Sequence, residues 1–246
     1  MKTIALAVGT EKYDIEVPES WHEVRGCKFV AFLEQQKSME EISDEALLRV
    51  LDIPFEVAIF LTPIDLYLLK KEIAFMLDFT TISQWLIDEI TLDDGRKVYP
   101  PAFDFSDVTW EEFIFADTYA ARNMPELVTA VLFRPEKDIY NENESRRVSF
   151  STHGTANRLP LFEKVSDVVK NAVLIIFVSS RKRLADKYSA LFVEKIDDGK
   201  GDTGDWLRVT RDLLGENFTD ERKILDLPCN AVLTRLDKLI RESNKK

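Results

Sequence analysis

The chain begins with an alternation of apolar and polar positions. Tyr13, Ile15 and Val17 alternate with Asp14 and Glu16, which is the period of a strand with one buried face. Thr3 to Val8 is an apolar run before it, Gly9-Thr10 supplies a turn and Pro18 stops the second strand. Together these predict an N-terminal β-hairpin. After Pro18 the period becomes helical. Ser20, with Glu23 three residues on, has the form of a capping box, and Phe29, Val30 and Leu33 supply an apolar face. Met39 to Leu51 predicts the next helix, with Ala46, Leu47, Val50 and Leu51 inward and Pro54 closing it. Pro63 then starts a helix over Ile64 to Phe79, in which Leu66, Leu69, Ile73, Met76 and Leu77 keep the helical spacing. Ile82 to Ile90 reads as a short helix or strand.

Asp93-Asp94-Gly95-Arg96 is a turn, flanked by Leu92 and by Val98 and Tyr99, and predicts a second short hairpin near 90–100. Pro100-Pro101 is the best internal boundary. It divides the chain into 1–100 and 101–246, or marks a joint within one continuous domain. Thr109 and Glu112 frame Trp110 as a second capping box, and Phe113, Phe115, Leu127, Val128, Val131 and Leu132 lead on to Pro135. Asp138 to Asn157 is polar and reads as a long exposed loop with a short strand at Val148 to Phe150. A loop of that length usually serves a contact. Leu161 to Val193 is the longest helical tract, with a candidate break near Ser179-Ser180. Asp197 to Asp205 reads as a surface loop. Trp206 to Leu214, Thr219 to Leu227 and Pro228 to Glu242 finish the chain as helices, the last with a stripe of Val232, Leu236, Leu239 and Ile240. The expected fold class is mainly α, a helical bundle with a small N-terminal β-hairpin and the second short hairpin.

The two capped segments invite comparison. Ser20-Trp21-His22-Glu23-Val24 aligns with Thr109-Trp110-Glu111-Glu112-Phe113, and each leads to an aliphatic stretch closed by proline, Val50 to Pro54 and Val131 to Pro135. A looser third copy runs from Trp206-Leu207-Arg208-Val209 to Ile224-Leu225-Asp226-Leu227-Pro228. A duplicated helical unit points to a scaffold rather than a catalyst. The plainer reading is that capped helices with a tryptophan and a closing proline are common.

Composition narrows the picture. Hydrophobic residues make up 45% of the chain, with 16 Phe, enough for a real core. Only 8 Gly and 9 Pro are present, which favours helices over a turn-rich sandwich or barrel. The net charge of −11 repels a phosphate backbone, so direct nucleic-acid recognition is not expected, and it suits solubility or docking on a basic protein patch. Cys27 and Cys229 are far apart and predict no disulfide framework. The N-terminal apolar run is followed at once by Glu11, Asp14 and Glu16, unlike a secretory signal. The apolar tract Ala172 to Val178 is too short to span a bilayer.

No catalytic constellation stands out. His22 and His153 have no second histidine or cysteine at metal spacing. Cys27 has no nearby base, and neither a Walker loop nor a dinucleotide fingerprint occurs. The run Asp198-Gly199-Lys200-Gly201-Asp202-Thr203-Gly204-Asp205 would turn three aspartates toward a phosphate and lacks the calcium-loop spacing. No catalytic, cofactor-binding or metal residues are therefore expected, and no cofactor. The candidate interaction residues are Arg146, Arg147, Phe150 and His153 of the polar segment, with Arg181 and Arg183 beyond the apolar tract.

One resemblance goes further. Thr109-Trp110-Glu111-Glu112-Phe113-Ile114, then Val131-Leu132-Phe133-Arg134-Pro135, Tyr140 and the apolar tract Leu161 to Val178 resemble a pattern in structural and tail-assembly proteins of large Bacteroidetes-infecting, crAss-like phages. Val17-Pro18-Glu19-Ser20-Trp21-His22-Glu23-Val24 resembles the opening of such proteins. The acidic Gly-rich run around Gly201 departs from the pattern. The resemblance implies a non-enzymatic virion component, a ring or neck protein at the portal–tail junction acting as a homo-oligomeric scaffold. It implies other virion proteins as partners and location in the virion, or in the host cytoplasm during assembly. In that role the hairpin and the polar segment would offer edges and side chains to neighbours. An assembly chaperone absent from the finished particle, and a regulatory protein-binding module, are the other readings.

Overall fold

The computed structural model describes residues 1–8, 11–36, 38, 40–139, 145–192, 206, 209, 210 and 221–243. The Gly9-Thr10 turn, Tyr140, the acidic run 197–205 and most of the helix expected at 206–214 lie outside the described residues. The chain is mainly helical and forms two compact units, Met1–Asp88 and Glu89–Lys246.

The first unit opens with the expected hairpin, β1 (Lys2–Val8) antiparallel to β2 (Glu11–Val17), with Ile4 opposite Ile15. Ile15 and Val17 are buried while Asp14 and Glu16 are exposed, so the period-2 pattern sets which face meets the core. Helices α1 (Gly26–Gln35), α2 (Asp44–Val50), α3 (Phe55–Ala58) and α4 (Pro63–Glu72) follow. Ser43 caps α2 by accepting from Ala46 N, and Thr62 and Asp65 form a reciprocal capping box at α4.

Two expectations fail here. Ser20 makes no side-chain cap, and Trp21–Glu23 is a single 3₁₀ turn rather than a helix start. Glu23 instead accepts from the Glu19 N–H and from the N-terminal ammonium. The helix expected to run from Ile64 to Phe79 ends at Glu72 and continues as 3₁₀ turns at Ala74–Leu77 and Phe79–Thr81. The reason is the tryptophan. Trp21 is buried, meets Phe29 and Phe75 edge-on at centroid distances of 5.4 and 5.5 Å, and donates to Asp78 O and Thr81 Oγ1. Wrapping 73–81 around the indole satisfies its N–H and sacrifices helical regularity.

Residues 82–88 have no regular structure but pack tightly. A Cβ built on Gly26 would stand 2.2 Å from Leu86 O. Gly26→Ala is therefore expected to destabilise the first unit by about 1–3 kcal/mol, as overpacking against fixed backbone does, read as a shifted urea midpoint. An unchanged midpoint would show that residues 82–88 yield freely.

The second unit begins with the expected hairpin, β3 (Ile90–Thr91) and β4 (Lys97–Tyr99), turning at Gly95 with φ of +82°. A third strand, β5 (Arg134–Pro135), pairs with β4, and it ties the hairpin to the rest of this unit. Helices α5 (Trp110–Ala121), α6 (Pro125–Leu132), α7 (Thr152–Phe162), α8 (Asp167–Lys187), α9 (Glu221–Leu225) and α10 (Cys229–Ser243) complete it. The tract expected as one helix over 161–193 is divided at 163–166, where Ser166 caps α8. No break occurs at Ser179-Ser180: α8 runs through both serines, and Ser180 Oγ donates back to Ile176 O within the helix. Phe105 holds a left-handed backbone, φ +57°, with its ring packed between Phe113 and Phe177.

The proposed duplication does not survive as structure. Trp110 begins a true α-helix capped by Thr109, whereas Trp21 sits in a 3₁₀ turn. Val131–Leu132 ends α6 and leads into β5, whereas Val50 ends α2 and Pro54 precedes α3.

Candidate functional site

Most described residues of the segment expected as an exposed loop are exposed or half-buried, but Arg147, Phe150 and Thr155 are buried. The Arg147 side chain is fully buried, and its Nη1 donates to Glu112 Oε1 at 2.9 Å and to Leu132 O at 2.7 Å. Its Nε and Nη2 reach Asp107 Oδ2 at 3.3 and 3.2 Å. Arg134 Nη2 takes the other oxygen of Glu112 at 2.8 Å. The Thr109-x-x-Glu112 spacing predicts Glu112 as the return half of a capping box. Thr109 does accept from the Glu112 N–H, but the carboxylate turns inward to two arginines. Burial pushes the Glu112 carboxyl up, with Arg147 and then Arg134 opposing that, and burial draws Arg134 down to about 10. Both Glu112 oxygens are engaged, so the cluster holds Arg134 and Arg147 against α5.

The other candidate interaction residues divide between surface and core. Phe150 is buried against Phe115, at a centroid distance of 5.8 Å, because Ser151 caps α7 at once after it. Neither Arg147 nor Phe150 is available to a partner, which corrects the reading of both. Arg146 is exposed, with its guanidinium 3.6 Å from the Tyr99 ring centroid and 3.5 Å from Glu136. His153 lies on the exposed side of α7 and bonds Asn157. Arg181 is held by Asp117, whose other oxygen accepts from Trp206 Nε1 at 2.7 Å. Arg183 lies over Phe103, 5.5 Å from its centroid. The six residues do not make one patch.

No catalytic centre is assembled among the described residues. His22 is bonded to Gln84 and Ser83. Cys229 is buried, and burial raises its thiol well above the ordinary range, so it is a poor nucleophile. No group of three or more His, Cys, Asp or Glu side chains among the described residues is placed to hold a metal ion. No described helix is long and apolar enough to cross a membrane. A shallow depression beside β2, with a volume of about 290 Å³, is lined by Tyr13, Asp14, Glu16, Lys28 and Asp52 among others. Lys28 and Asp52 close on each other there at 2.8 Å.

The anomalous surface is on α3 and α4. Phe55, Ile59, Phe60, Ile64, Tyr67 and Leu68 are each 53% to 76% exposed. On α3 and its C-terminal turn, Phe55 and Ile59 lie four residues apart, on one side. On α4, Ile64, Tyr67 and Leu68 stand at i, i+3 and i+4, on the side away from buried Leu69. Single exposed hydrophobics need no explanation, but six large ones in consecutive elements form the kind of surface that marks a protein interaction. The signal was present in the sequence. Alongside the inward stripe of Leu66, Leu69 and Ile73, α4 carries a second apolar stripe, and a helix apolar on two sides must be covered on both.

The chain matches no known family profile, no curated protein and no solved structure.

Proposed function

We propose that the chain is a non-catalytic virion assembly protein, a ring or neck component of the portal–tail junction that works as an oligomeric scaffold. The observation that supports it is the uncovered α3–α4 face, which offers apolar area without a concave site or convergent chemistry. The resemblance of 109–178 to phage structural proteins supports the setting, and the net charge of −11 suits docking beside basic neighbours. The same face would serve an assembly chaperone by shielding an aggregation-prone partner, and the two roles differ in what remains in the finished particle.

Mass spectrometry of purified particles tests this. Stoichiometric presence is the expected result, and complete absence from mature particles sinks the ring reading and favours the chaperone. Ile64→Glu combined with Leu68→Glu is expected to change stability by no more than about 0.5 kcal/mol, since both side chains are exposed, yet to exclude the protein from assembly. Normal incorporation of that variant would remove the face from the argument.

A further inference from the structure

We propose that the α3–α4 face is covered by a second copy of this chain, packed about a two-fold axis. This rests on the reading of the face as an assembly surface and names its occupant. Three observations select a copy of itself.

The first is charge arrangement. Nearly every charge on α4 is already engaged within its own unit. Lys70 pairs with Asp44 at 2.7 Å, Glu72 with Lys2 at 2.8 Å, and Asp65 closes the capping box with Thr62. Lys71 is the exception. Its ammonium lies over the Tyr67 ring, 5.1 Å from the centroid, and among the described residues it meets no carboxylate. At the other end of the face Glu56 is exposed, one turn before Phe60, and likewise meets no cation among the described residues. The face thus runs from an acid through six apolar side chains to a base, neither of which meets an opposite charge among the described residues. Turned over on itself, it sets each Glu56 against the partner's Lys71.

The second is size. At 53% to 76% exposure the six side chains present roughly 800 Å². That is about what each side of a standard stable interface buries. The third is neutrality. The face itself carries one acid and one base, so it does not select a strongly charged partner, whereas an isologous contact requires only that the patch complement itself. The remaining charge of each −11 chain opposes the approach of two copies. Added salt screens that repulsion and strengthens apolar burial, so association tightens as salt rises.

Sedimentation equilibrium on the full chain is the test. A dimer at micromolar concentration is expected, tightening with salt. Phe60→Glu is expected to give a monomer with unchanged helical circular dichroism and melting temperature. Glu56→Lys and Lys71→Glu singly weaken dimerisation about tenfold by facing like charges, and the double exchange restores it. A monomer at all accessible concentrations overturns the inference, as does a dimer indifferent to both Phe60→Glu and the charge exchanges. A monomer whose face residues resist hydroxyl-radical labelling also overturns it, by assigning the cover to the chain itself. The assembly reading fails separately. A monomer that still needs Ile64 and Leu68 to enter particles keeps that reading and gives the face to a different virion protein. A dimer that never enters particles keeps the two-fold contact and loses the virion.

Discussion

Glu112→Ala lowers the stability of the second unit by about 3–5 kcal/mol, the range expected when one member of a buried ion cluster is removed. The loss arises from what remains. Arg134 and Arg147 are left buried, facing each other without the carboxylate that took a hydrogen bond from each at 2.8 and 2.9 Å. Asp107 still reaches Arg147 but is itself partly exposed and engages the other two nitrogens of the guanidinium. Urea unfolding followed by hydrogen exchange in α5 and β5 measures the change unit by unit. Replacing Glu112, Arg134 and Arg147 together by leucine and methionine is expected to cost less than Glu112→Ala alone, because a buried charge without a counter-charge is worse than none. A loss below about 1 kcal/mol for the single variant would mean that water enters the site and the cluster is not dry.

Trp110→Ala costs about 3–5 kcal/mol, the range for emptying a large aromatic site in a packed core. Trp110 is fully buried, stacks on Phe113 at 5.6 Å and meets Trp206 edge-on at 5.4 Å. Its Nε1 donates to Thr210 Oγ1 at 2.7 Å, a contact one hundred positions along the chain. The indole therefore anchors Trp206 and Thr210 to α5 as well as filling space. Trp110→Phe keeps most of the volume and leaves Thr210 without its donor, so a loss of about 1–2 kcal/mol is expected for that variant. Limited proteolysis separates packing from anchoring. Faster cleavage around 206–210 in both variants is expected, and protection unchanged in Trp110→Phe would show that packing alone holds the segment.

Much of the fold was legible in local pattern. Alternation placed Ile15 and Val17 inward, and the Asp93-Asp94-Gly95-Arg96 turn placed the second hairpin, because these depend on neighbours two to six residues apart. The expected cap at Thr109 also held, since an N-cap bond spans only three residues. The same pattern misled wherever a distant partner outbid the local one. Ser20 and Glu23 have capping chemistry, but the burial of Trp21 among Phe29, Phe75 and Phe79 decides the turn. Arg147 and Phe150 stand in a polar stretch, and polarity suggested exposure. Nothing within ten residues announces that Glu112 and Leu132 wait for that guanidinium.

The candidate surface was half legible. The second apolar stripe of α4 is written in Ile64, Tyr67 and Leu68, but periodicity cannot say which of two stripes the core will take. The sequence by itself determined the helical class, both hairpins, the acidic balance and the lack of any recognised catalytic motif, because each follows from composition or from residues near one another. Only the tertiary structure decided that Arg147 and Phe150 are interior, that Glu112 is a counter-ion rather than a cap, and that the α3–α4 face is left uncovered. Those outcomes depend on which distant groups compete for the same burial, and that competition is settled only when the chain closes on itself.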